Sequence, residues 1–151
     1  MRRLLSSVVF AGMVAVPVAV APLTDEPQTE YKKDPRFAKL QAFFSKADCP
    51  AEDYVEAFLD AADRYELDWR LLPSLSYIES TGGKLAKHNN MFGWGSAHFP
   101  TPTAGIHAVG YRLANSALYK DKDLDALLRT YNPVTGYGQM VKSVMRRIAP
   151  E

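Results

Sequence analysis

A chain of 151 residues that is 47% hydrophobic, 23% charged and 11% aromatic has room for one globular domain; it is neither disordered, collagen-like nor a multi-span membrane protein. Setting aside Arg2 and Arg3 lowers the 18 basic residues to 16 against 17 acidic ones, a net of −1 that gives no global reason to hold nucleic acid. The one cysteine, Cys49, excludes an intramolecular disulfide and any multi-cysteine zinc site.

Residues 1–21 have the pattern of an export signal: Arg2 and Arg3, then an uncharged apolar run from Leu4 to Val20, then the small-residue exit Ala19-Val20-Ala21. The domain is therefore expected in the periplasm, the cell envelope or outside the cell. Pro22 is an unfavourable neighbour for a peptidase and the run is nearly long enough to span a bilayer, so an uncleaved segment would tether the protein to the membrane. Residues 22–34 are polar and carry prolines, as a linker does, which leaves residues 35–151 as the working domain.

From Pro35 the apolar spacing is helical, with Phe37, Leu40, Phe43 and Phe44 on one stripe. Pro50 suits a helix start, and Tyr54, Val55, Phe58, Ala62 and Tyr65 continue that pattern. Asp68 is placed to cap a helix through Trp69, Leu72, Leu75 and Ile78 that Gly82-Gly83 ends. Residues 88–102 form a loop or short hairpin rich in Gly, Asn and aromatic residues. A helix capped by Thr103 follows, then helices from Leu124 to Arg129 and from Gln139 to Ile148. The predicted fold is all-α, with at most a small β-hairpin, and a monomer is expected.

Glu79 stands out. Leu72, Leu75, Ser76 and Glu79 share one helix face, so a carboxylate sits in an apolar stripe at a helix C-terminus. Desolvation and the helix dipole both favour its protonated form there, as protonating a glycosidic oxygen requires. A structural role competes: pairing with Lys84, Lys87 or Arg112 would satisfy the same carboxylate. The following His88-Asn89-Asn90-Met91-Phe92-Gly93-Trp94-Gly95 supplies amides for sugar hydroxyls and acetamides, flat rings for a pyranose face, and glycines for close approach. Phe92 and Trp94 could equally anchor a tight turn in the core.

The run Leu67 to Lys84 resembles the lysozyme-like superfamily segment in which a helix ends in Glu-Ser before a glycine, here Glu79-Ser80, as in soluble lytic transglycosylases and goose-type lysozymes. Asn89-Asn90-Met91-Phe92-Gly93 is similar to the Asn-Asn-x-Phe-Gly signature of bacterial N-acetylglucosaminidases, the mannosyl-glycoprotein endo-β-N-acetylglucosaminidase-like family. Thr130-Tyr131-Asn132-Pro133 resembles the Tyr-Asn motif that faces the acid in lytic transglycosylases. The resemblance implies a lysozyme-like domain acting on peptidoglycan glycan strands, with Glu79 as the acid and Ser80, Asn90, Phe92, Trp94, Tyr131 and Asn132 along the saccharide cleft. Met91 to Gly95 departs from the glycine-leucine-methionine-glutamine stretch usual in transglycosylases, so hydrolysis and anhydro-product formation both stay open.

No second carboxylate offers itself for a two-acid mechanism, because Asp121, Asp123 and Asp125 lie in a charged turn and Asp68 is a cap. A single-acid route needs only Glu79, with Tyr131 as a neutral hydrogen-bond partner that positions it or the substrate acetamide. No metal or other cofactor is called for: His88, His98 and His107 lack helical ligand spacing and suit isolated surface positions. Two rivals complete the field. Cys49 at a helix start could serve a cysteine peptidase if the dipole lowered its thiol pKa, and an exported peptidoglycan-binding module could keep the cleft without turnover.

Overall fold

The computed structural model describes residues 30–150; the expected export signal (residues 1–21) and residues 22–29 of the expected linker lie outside the described residues. Six α-helices follow in chain order: α1 (Pro35–Lys46), α2 (Val55–Arg64), α3 (Leu71–Ser80), α4 (Pro102–Asn115), α5 (Leu124–Tyr131) and α6 (Tyr137–Ile148). Short 3₁₀ turns at Tyr31–Lys33 and Pro50–Tyr54 precede α1 and α2. Among the described residues there is no strand, and the expected hairpin reduces to one isolated bridge between Lys87 and Asn90.

The fold is all-α, and α3 runs through the centre of it. Its positions Leu71 to Ser76 are all buried, because α2 and α6 pack against it. α2 also contacts α1 and α4, while α6 contacts α1 and α5. Leu40, Phe44, Phe58, Leu72, Leu75, Ile106, Leu113, Leu128 and Val141 close the core between them. Each fully buried large aliphatic side chain contributes about 1.5–3 kcal/mol.

Several boundaries differ from the sequence expectation. The domain starts before residue 35: Tyr31 is buried in the core and its hydroxyl donates to Asp63 Oδ2 (3.2 Å). One aromatic residue in a polar stretch is enough to anchor it. Asp68 does not cap α3 itself; it accepts from the Arg70 amide (2.9 Å) in the turn before the helix. Thr101, not Thr103, caps α4, accepting from the Ala104 amide (3.1 Å), because Pro102 at the first helical position leaves the cap one residue ahead of it. α6 starts at Tyr137, two residues earlier than expected.

Candidate active site around Glu79

The end of α3 sets the site. Thr81 (φ +54°), Gly82 (+59°) and Gly83 (+96°) are all left-handed, and the Gly82 amide reaches back to the Ser76 carbonyl (3.0 Å) while the Thr81 amide bonds Tyr77 (2.9 Å). This double closure ends the helix at Ser80, with Thr81 as its cap, and satisfies its last carbonyls. The glycine pair therefore ends the helix as expected, although the first left-handed residue is Thr81. Such a conformation costs a threonine on the order of 1 kcal/mol or more.

Glu79 is half-buried at this end. Its Oε1 accepts a 2.5 Å hydrogen bond from the Tyr137 hydroxyl. Its Oε2 lies over Gly93, where a side-chain Cβ would come within 2.8 Å of it. The cationic partners considered from sequence are engaged elsewhere: Lys84 pairs with Asp48 (3.1 Å), and the Arg112 guanidinium lies 5.3 Å over the Trp94 ring. Among the described residues Glu79 has no ion-pair partner, Lys87 included.

Two open cavities meet at the Gly93–Gly95 strip. One, of about 380 Å³, is lined by Glu79, Ser80, Asn90, Lys87, His88 and His98, among others. The second, of about 170 Å³, is lined by Gly93, Trp94, Gly95, Tyr119 and Tyr131. The larger falls within the range of about 300–1,000 Å³ usual for small-molecule sites. Among the described residues, Glu79 is the one carboxylate that lines either cavity. The other acids have separate work: Asp123 caps α5, Asp125 pairs with Lys142, and Asp60 lies near His107.

The structure gives the expected site residues unequal roles. Trp94 is half-buried and lines the smaller cavity, edge-on to Tyr131 (5.4 Å), tilted against Tyr119 (5.9 Å) and with Arg112 over its ring. Phe92 is not: its ring is 1% exposed and packs against Phe58 in the core. A phenylalanine beside flexible glycines buries itself because nothing polar opposes it. Asn90 serves the loop. Its Oδ1 accepts from the Phe92 (3.3 Å) and Trp94 (3.0 Å) amides and its Nδ2 donates to the Ala97 carbonyl (3.3 Å), which uses both acceptor sites of the amide oxygen. Ser80 is buried, donates to the Met91 carbonyl (2.7 Å) and accepts from the Gly83 amide (3.0 Å), latching α3 to the loop. Asn132 accepts from the Val134 amide (3.1 Å) in the turn between α5 and α6.

Tyr131 lines the smaller cavity, but its hydroxyl donates to the Phe92 carbonyl (2.6 Å) and not to Glu79. The residue that holds the acid is Tyr137, stacked on Tyr131 at 6.0 Å and 13°. Burial first, and then the Glu79 carboxylate, push both phenols well above their ordinary pKa, so both hydroxyls stay protonated as donors. Tyr137, Tyr119 and Arg112 were not among the expected site residues. For Tyr137 a signal existed: the buried stripe Val141, Val144, Met145 and Ile148 extends back to it at helical spacing.

The rival role for Cys49 loses its support: the thiol is buried, which raises its pKa instead of lowering it, and it donates weakly to the Phe44 carbonyl (3.6 Å). His88 and His98 are exposed but not isolated, since their rings lie 3.8 Å apart. Among the described residues no group of three or more His, Cys, Asp or Glu converges on one point. Comparison with models of known families, with curated proteins and with solved structures finds no match to this chain.

Proposed function

We propose that the protein is an exported glycosidase with a lysozyme-like domain, cleaving β-1,4 bonds between the N-acetylated amino sugars of peptidoglycan with Glu79 as its single acid and base. The observation that carries this reading is the placement of one carboxylate, held by Tyr137 on one oxygen, with the other over the bare Gly93 backbone where two cavities meet. A sugar on each side would bring the linking oxygen to Oε2.

In the reaction, the Glu79 carboxylic acid gives its proton to the leaving oxygen as the bond from C1 to that oxygen breaks. The carboxylate left behind is stabilised by the Tyr137 hydrogen bond, then takes the proton of the attacking hydroxyl as the new C1–O bond forms. Water as the attacker gives a reducing end. The substrate's own 6-hydroxyl gives an anhydro-sugar, a second reading favoured by the single carboxylate on the cavity walls, since intramolecular attack needs no second protein base.

The test is Glu79→Gln with purified peptidoglycan and mass spectrometry of the released fragments. Release should fall by about 10²- to 10⁴-fold while the helical content holds. Undiminished release overturns the assignment, and a wild-type protein that binds peptidoglycan but frees no fragment marks a binding module instead.

A further inference from the structure

The two cavities flanking Glu79 differ in chemistry. The smaller is walled by Trp94, Tyr119 and Tyr131 with glycine backbone, and the Arg112 guanidinium lies over the Trp94 ring (5.3 Å) without lining the cavity. The larger carries Lys87, His88 and His98, all exposed at its edge, while Glu79 and Ser80 form its more buried end. Among the described residues Lys87 makes no ion pair, so its ammonium is available to a ligand. The imidazoles of His88 and His98, 3.8 Å apart and tilted by 39°, carry N–H donors on the same lip. His88 and Asn89 are both left-handed (φ +55° and +58°), and Asn89 Nδ2 bonds the Phe99 and Pro100 carbonyls (2.9 and 3.2 Å), so the lip carrying these groups is fastened across its own loop.

A peptidoglycan strand is asymmetric in the same way. One of its two sugars is an uncharged N-acetylated hexose; the other carries a lactyl group and a peptide with free carboxylates. We propose that the larger cavity receives the carboxylate-bearing, peptide-carrying sugar, read by Lys87 with His88 and His98, and that the aromatic cavity receives the uncharged sugar. This rests on the glycosidase reading above. The peptide would leave along the exposed lip that carries Lys87, His88 and His98, away from the more buried end formed by Glu79 and Ser80. Flat rings suit the uncharged sugar because stacking needs no ionic partner.

The experiment compares two substrates: glycan strands with their peptides, and the same strands with every carboxylate converted to an amide. Wild-type kcat/KM should be roughly 5-fold higher on the native strands, the factor an exposed ionic contact supplies. Lys87→Ala should remove that preference, and Lys87→Glu should reverse it, with circular dichroism unchanged. Equal slowing of both substrates by Lys87→Ala, or a wild type indifferent to amidation, overturns the assignment of the larger cavity while leaving the glycosidase reading standing. A wild type that cleaves neither substrate brings down both.

Discussion

Replacing Tyr137 by phenylalanine removes a single oxygen from a side chain that is 3% exposed, and that oxygen is the one holding Glu79 at 2.5 Å. The ring stays, and with it the stack on Tyr131, so the packing of α6 against the core is kept. A hydrogen bond to a charged acceptor is worth about 1.5–3 kcal/mol. Because the acid becomes a carboxylate only as the bond breaks, most of that energy belongs to the transition state, and losing it slows kcat/KM by roughly 10- to 150-fold. Stability should change by only about 1 kcal/mol or less, since water can reach the half-buried carboxyl in place of the phenol.

The assay is release of soluble fragments from peptidoglycan, with urea unfolding run in parallel. Tyr131→Phe is the comparison, because its hydroxyl serves the Phe92 carbonyl and not Glu79; it should slow release less than Tyr137→Phe does. If Tyr137→Phe keeps full turnover, the positioning role of Tyr137 is wrong.

Gly93→Ala places a methyl 2.8 Å from Glu79 Oε2 on a backbone at φ +58°. The carboxylate must shift away from the strip, and on the glycosidase reading activity should drop at least tenfold while stability falls by about 1–2 kcal/mol; an active, equally stable variant would refute the close approach. At the other end of the domain, Arg36 binds Asp34 (2.7 Å) and Asp63 (2.6 Å), and these hydrogen bonds hold both carboxyls below their ordinary pKa. Their contribution is complete above about pH 4 and lost as pH falls through the lowered values. The urea-midpoint gap between wild type and Arg36→Ala should therefore be widest near pH 7 and shrink below pH 4; a gap that does not change with pH would rule this out.

Glu79 could be placed from sequence because helical periodicity fixes which face a residue takes, and Leu72, Leu75 and Ser76 define that face. The loop after it could not be read so well. Asparagine amides satisfy a ligand and a backbone turn equally, and a left-handed, glycine-containing loop has unpaired amides of its own. Asn90 accepts from two of those amides, and Asn89 donates to the Phe99 and Pro100 carbonyls, so both side chains are spent on the loop itself. Phe92 and Trp94 are two residues apart in the same motif, yet one is core and the other lines a cavity. That division depends on Phe58 beneath the loop, which lies 34 positions earlier and has no local signature. Tyr137 was missed because the break at Asn132-Pro133 obscures where α6 begins.

The contacts around the acid form a closed circuit, which explains why so much of this loop's chemistry faces inward. Tyr137 bonds Glu79 and stacks on Tyr131, and Tyr131 bonds the Phe92 carbonyl. Phe92 precedes Gly93, and Gly93 lies against Glu79 Oε2. On the other side, Ser80 ties the residue after the acid to the Met91 carbonyl, and Asn90 holds the Phe92 and Trp94 amides. The distance from the carboxylate to the Gly93 strip is thus fixed from both ends by groups that need never touch a ligand. A general acid must meet its substrate oxygen within hydrogen-bond reach, and a misplacement of about 1 Å can cost a hundredfold in rate. On the glycosidase reading, buried Asn90 and Ser80 are positioning residues: their loss would loosen the strip under Oε2 and lower turnover through geometry, even though neither contributes a proton.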